Sequence, residues 1–137
     1  MSLKAINAYK KGTLKQDIIN ADPHKLTLML MQGALDRLAY AKGCIERSDY
    51  QGRSEHLSKA TAIFINLRDT LDLEVGGDFS ENLYALYNYF LEKLSTISSE
   101  NGADVISEVS ELFLPIKDAW AQIPEAAKQQ AYAQSGI

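Results

Sequence analysis

Leu71-Asp72-Leu73-Glu74-Val75-Gly76-Gly77-Asp78-Phe79-Ser80-Glu81-Asn82-Leu83-Tyr84-Ala85-Leu86-Tyr87 joins two helical patterns through paired glycines and runs directly into a tyrosine-rich face. Gly76 and Gly77 tolerate positive φ, which ends a helix, and Asp78 or Ser80 can cap the next by accepting orphan backbone N–H groups. The stretch therefore predicts a chain reversal. Downstream, Leu83, Leu86, Tyr87, Phe90 and Leu94 recur at helical spacing, while Tyr84, Tyr89 and Leu91 widen the apolar surface beyond a single core contact.

Working outward, Asp22-Pro23 reads as an N-cap followed by proline at the first helical position, opening a helix from about Pro23 to Arg47. Ser48-Asp49 breaks and re-caps the chain. A second helix is predicted from about Tyr50 to Leu73, with Leu57, Ala60, Phe64, Leu67 and Leu71 on one stripe. A third follows the glycines from about Ser80 to Ser98, and a fourth spans about Ala103 to Ile123. Val105, Val109, Leu112, Phe113, Ile116, Trp120 and Ile123 give this last helix one apolar face, and Pro115 should bend it on its exposed side. Connections this short make neighbours antiparallel. The expected fold is all-α: a single domain over residues 1–137, an antiparallel up-down four-helix bundle (22–123) with a mobile N-terminal arm (1–21) and a short tail (124–137) able to extend a helix.

The composition agrees with such a bundle. The chain has 137 residues, 46% of them hydrophobic, and three prolines, enough to bury a core without disulfide or metal staples. Cys44 is the single cysteine and reads as a small core hydrophobe. No signal-peptide core and no run of eighteen apolar residues occurs, so a cytoplasmic protein without membrane insertion is expected. The net charge of −4 is unevenly spread: residues 1–16 hold four lysines and no acid, whereas residues 69–125 hold twelve acids against Lys93 and Lys117. So acidic a body argues against nucleic-acid binding. The basic arm either lies against the acidic half or is a solvated terminus.

Three helices carry more apolar surface than one core contact requires. Leu26, Leu28, Met29, Leu30, Met31, Gly33, Ala34 and Leu35 sweep roughly 260° around the first helix at 100° per residue. The second has a similar excess at Ala60, Ala62, Ile63, Phe64, Ile65 and Leu67. Such surface is either a thick core or a groove for a further apolar element. Ile6, Tyr9 and Leu14 of the arm are suitable anchors for a lid over that groove, and Met29 and Met31 suit a surface that must repack.

Catalytic signals are sparse. His56-Leu-Ser-Lys59-Ala60 resembles the helical pattern of histidine phosphotransfer domains, in which a lysine one turn from an exposed imidazole supplies charge for a phosphoryl group. A surface histidine explains the same residues. His24 has no companion ligand in sequence, Gly76-Gly77 lacks the Lys-Ser or Lys-Thr of a phosphate loop, and no serine sits in a nucleophile elbow. Neither an enzyme nor a cofactor is expected.

Asn7-Ala8-Tyr9, Pro23-His24-Lys25-Leu26, Gly33-Ala34, Ala60 with Ile63, Leu71-Asp72, Gly76-Gly77, Asn82-Leu83, Leu86-Tyr87, Tyr89 and Ala119-Trp120 occur in the order and spacing of one family. The chain resembles the FliS family of flagellar export chaperones for flagellin. The segment between Tyr9 and Asp22 and the proline at Pro115 depart from the usual pattern. The resemblance implies a cytoplasmic chaperone that binds the disordered C-terminal segment of flagellin, prevents premature polymerisation and delivers its client to the export gate of the flagellar type III apparatus. The corresponding groove comprises Leu26, Met29, Leu30, Gly33, Ala60, Ile63, Leu67, Leu71, Asn82, Leu83, Leu86 and Tyr87, with Ile6, Tyr9 and Leu14 as its lid. An empty groove would permit a homodimer. Phosphotransfer through His56 and a structural adaptor for folded proteins are the competing readings.

Overall fold

The computed structural model describes residues 22–123. Four helices, α1 (Pro23–Glu46), α2 (Tyr50–Asp69), α3 (Leu73–Ser95) and α4 (Gly102–Ala121), form an antiparallel bundle. Each helix contacts the next and α4 returns to α1, with α1 against α2 the most extensive interface and α3 against α4 the least. The α3/α4 seam is therefore the weak side of the ring.

The helix ends follow from local chemistry. Asp22 accepts a hydrogen bond from the Lys25 amide at 2.7 Å, and Pro23 occupies the first turn, where a missing donor costs nothing. Asp49 repeats the device for α2, accepting from the Gly52 amide at 3.0 Å. At the far end of α2 the Thr70 hydroxyl donates back to the Asn66 carbonyl at 2.9 Å and closes the helix. Between α3 and α4, Asn101 accepts from the Ser98 amide at 2.7 Å and donates to the Thr96 carbonyl at 3.1 Å.

The second reversal is placed differently from the sequence-based expectation. Helix α2 stops at Asp69 rather than Leu73, because Thr70 takes the capping role, and α3 starts at Leu73 rather than Ser80. The glycines lie inside α3. One helical turn forms first, with the Gly76 amide donating to the Asp72 carbonyl at 3.0 Å. Gly77 then interrupts it at φ 55°, ψ −137°, a conformation open to glycine alone, and re-aims the remainder of the helix. Ser80 lies within the helix, buried against Gly76, instead of capping it. Helix α3 also ends at Ser95, short of Ser98.

Four rings form the centre of the bundle: Phe64 of α2, Tyr87 and Phe90 of α3, and Phe113 of α4. Phe64 lies 5.1 Å from Phe113 edge-on and 5.4 Å from Phe90, between ring centroids. Such pairs add about 0.5–1.5 kcal/mol each beyond the area they bury. Met31, Ala34, Leu38 and Ala41 give the α1 stripe facing them, and Val109 and Ile106 complete it from α4. Burial pushes the Tyr87 phenol far above its ordinary value.

Candidate functional site

The loose α3/α4 seam opens into an apolar groove of about 560 Å³. Met31 and Leu83 floor it, Leu86 faces Ile116 across it, and Asn82 supplies a polar group on one wall. Phe79, just beyond the Gly77 break, stands at the mouth with 66% of its surface exposed. The break is what places it there: an uninterrupted helix would carry residues 73–76 and Phe79 on one continuous axis. Helix α4 contributes Pro115, Ala119 and Trp120, and Ile123 follows its C-terminus. Proline at 115 removes the backbone donor that would bond the Glu111 carbonyl. Pro115 is exposed as expected, yet its ring forms part of the groove wall.

Trp120 is held in place from α1. Its indole Nε1 donates to the His24 carbonyl at 3.0 Å, while His24 Nε2 donates to the Trp120 carbonyl at 2.6 Å. The two rings stack at 4.9 Å with an interplanar angle of 9°. His24 is 4% exposed, so these bonds satisfy a buried polar ring and tie the start of α1 to the end of α4 beside the groove. At the other end of the seam, Tyr89 donates to Glu108 at 2.6 Å, and Lys93 approaches the same carboxylate at 3.4 Å. The Tyr89 bond, assisted by Lys93, lowers the Glu108 carboxyl below its usual range, and the same bond raises the Tyr89 phenol. The seam thus runs from an apolar mouth to a polar end.

The residues expected to form one groove are distributed over four places. Asn82, Leu83 and Leu86 line the α3/α4 groove. Ala60, Leu67 and Tyr87 are buried in the core; Leu71 packs against that core from the α2–α3 turn. Met29 lines a separate hollow of about 290 Å³ between α1 and α4. Leu26, Leu30 and Gly33 follow one another at helical spacing along α1, and Gly33 faces Ile63 of α2. Ile6, Tyr9 and Leu14 lie outside the described residues. The α4 wall was missed because Ile116, Trp120 and Ile123 share a stripe with core residues Val109 and Phe113. The available signal was width: Ala119 and Pro115 carry that arc past what the core fills.

His56 does not stand free on its helix. Its Nδ1 lies 3.2 Å from Arg37 Nη1, and its ring packs beside Tyr40 at 5.3 Å. Among the described residues no group of three or more His, Cys, Asp or Glu side chains could hold a metal ion, and no helix is long and apolar enough to cross a membrane.

A small helical bundle with an apolar seam left unfilled, and a tryptophan held at its rim, has the form of a binding protein for a further apolar element. The comparisons narrow the class. The family model for "Flagellar protein FliS" matches residues 5–127. The flagellar secretion chaperone FliS of Vibrio cholerae is 35% identical over 97% of this chain and 98% of that protein. FliS of Salmonella typhimurium is 38% identical over 92% of this chain and 95% of that protein, and FliSB of Pseudomonas aeruginosa 36% over 87% and 94%. The chain belongs to the FliS family of flagellar secretion chaperones. Histidine phosphotransfer through His56 finds no support in this membership.

Proposed function

We propose that this chaperone acts in the cytoplasm, captures the C-terminal segment of flagellin as an amphipathic helix in the α3/α4 groove, and keeps it from polymerising before delivery to the flagellar export gate. The observation that carries the reading is the open apolar seam itself, about 560 Å³ with Phe79 exposed at its mouth. An unfilled surface of this kind is an aggregation liability unless something covers it. A helix suits the space, since anchors at i, i+3 or i+4, and i+7 match the rise between Phe79, Leu83 and Leu86 on the facing wall.

The client-binding surface proposed here centres on Phe79, Asn82, Leu83, Leu86, Ile116 and Trp120. Leu26, Met29, Leu30, Gly33 and Ile63 provide further apolar contacts on the flanks of α1. Ala60, Leu67, Leu71 and Tyr87 support it from within. The arm residues Ile6, Tyr9 and Leu14 serve as a lid when no client is bound, drawn by the four lysines of residues 1–16 toward the acidic half of the bundle. A second copy of the chain is the other occupant an empty groove would accept.

Ordering a disordered segment costs conformational entropy, so the groove must supply broad apolar burial, and a lid lowers apparent affinity by the cost of displacing it. Leu86→Asp puts a charge on the groove wall without entering the core. It is expected to weaken flagellin capture at least about tenfold in calorimetry, since leaving a charge unpaired in an apolar site costs more than one such factor. Unchanged affinity in a variant with native helix content would refute the assignment.

A further inference from the structure

Arg37 lies half-buried on α1, and among the described residues its hydrogen-bond partner is a histidine of α2. Its Nη1 lies 3.2 Å from Nδ1 of His56. A guanidinium offers only donors, so in this contact Nδ1 accepts through its lone pair. The arginine is therefore oriented without being neutralised. No carboxylate pairs with it among the described residues. Its sequence neighbour Asp36 accepts from Gln32 at 2.9 Å, and Glu55, beside His56, accepts from Gln51 at 3.3 Å. By contrast Arg68, Lys93 and Lys117 each have an acid partner.

The surroundings suit an anion arriving at the end of an apolar segment. Leu26, Leu30 and Gly33 lead along α1 toward Arg37, with Ile63 facing Gly33 from α2. Tyr40, 55% exposed, closes the strip by leaning against His56 with ring centroids 5.3 Å apart. Lys59, one turn along α2 from His56, adds a second exposed cation without an ion-pair partner. A helix laid on this strip and ending at Arg37 would bring both the negative end of its dipole and its terminal carboxylate to the guanidinium, whose planar fork takes two carboxylate oxygens at once. Hollows between α1 and α4, lined in part by Leu28, Met29, Leu35 and Leu114, lie on the neighbouring face of α1.

We propose that Arg37, oriented by His56 and assisted by Lys59, is a clamp for the C-terminal carboxylate of the bound flagellin segment. The proposal rests on the reading of the client as a chain-terminal segment. It explains how a chaperone built on apolar contacts distinguishes a true chain end from any other amphipathic helix.

The test uses the full-length chain in calorimetric titrations with a synthetic flagellin C-terminal peptide, prepared as free acid and as C-terminal amide. The amide is expected to bind about tenfold more weakly. Arg37→Gln is expected to remove that difference, and Arg37→Lys, which keeps the charge but not the fork, to retain part of it. Equal binding of the two peptides to the native protein would overturn the clamp and leave the client reading intact. A tenfold preference that persists in Arg37→Gln would also overturn it. If neither peptide binds, the client reading itself fails and the clamp with it.

Discussion

At the scale of single residues, adjacent glycines do different work. A Cβ at Gly77 would meet nothing within 4 Å, whereas one at Gly76 would overlap the Ser80 hydroxyl. Gly77→Ala therefore isolates backbone strain: with φ at 55° and ψ at −137° it should cost about 1–3 kcal/mol. For a bundle of this size that lowers Tm by roughly 5–15 °C, and an unchanged melting curve would show that the break is not needed. Tyr87, 1% exposed, is the other residue with a measurable signature. Its phenol is raised from 10.0 by burial, so the native state keeps its proton where the unfolded chain releases it. Stability is thus full below about pH 10 and falls as pH rises above it, the unfolded state being the one that binds fewer protons there. Urea melts across that range should show the fall, and Tyr87→Phe should lessen its slope. The same burial makes position 87 unsuited to charge substitution, because an unpaired carboxylate among Phe64, Phe90 and Phe113 would unfold the bundle.

At the scale of elements, the His24–Trp120 latch joins α1 to α4 at the rim of the groove. His24→Ala leaves the Trp120 carbonyl without its donor and removes the ring stacked on the indole, while the indole keeps its bond to the backbone carbonyl of residue 24, a loss of about 1–3 kcal/mol. Trp120 is the only tryptophan, so its emission reports the change directly. A shift to longer wavelength is expected in the variant, and an unshifted spectrum would mean that the latch does not hold the ring. The four helices and their antiparallel order were legible in the sequence because caps and period-3.6 stripes are local signals. Asp22-Pro23, Ser48-Asp49 and the Ser98–Gly102 turn each marked a boundary within a few residues. The α2–α3 corner was misplaced because a threonine hydroxyl ended α2 ahead of the stronger glycine signal, and because one isolated turn can form before a glycine break. The groove was legible only by halves. Leu83 and Leu86 stood on the α3 stripe, and Asn82 came only with the family resemblance. The α4 wall was not legible, since Ile116 and Trp120 belong equally well to a core stripe until the looseness of the α3/α4 seam is known. His24 was visible only as part of the family motif, and its contact with Trp120 was not legible because the partner lies 96 positions away.

At the scale of the whole molecule, the bundle is asymmetric in both packing and charge. Helices α1 and α2 form its tight half, while α3 and α4 carry eight of the twelve acids within the four helices and part along an apolar seam. This division lets a marginal domain keep one face unfilled without losing its core, since the ring cluster of Phe64, Tyr87, Phe90 and Phe113 lies beneath the groove and is complete without a client. Membership of the FliS family supplies the secretion-chaperone role, and the seam is the site proposed for the client. Their connection can be tested through Trp120, which lines the groove and is the sole indole in the chain. The decisive measurement is its fluorescence in the full-length protein during titration with a tryptophan-free peptide of the flagellin C-terminal segment. A saturating shift to shorter wavelength, absent with a scrambled peptide, is predicted as the groove fills and sheds water. A peptide that binds by calorimetry without changing Trp120 emission, or that does not bind, would contradict capture in the α3/α4 groove.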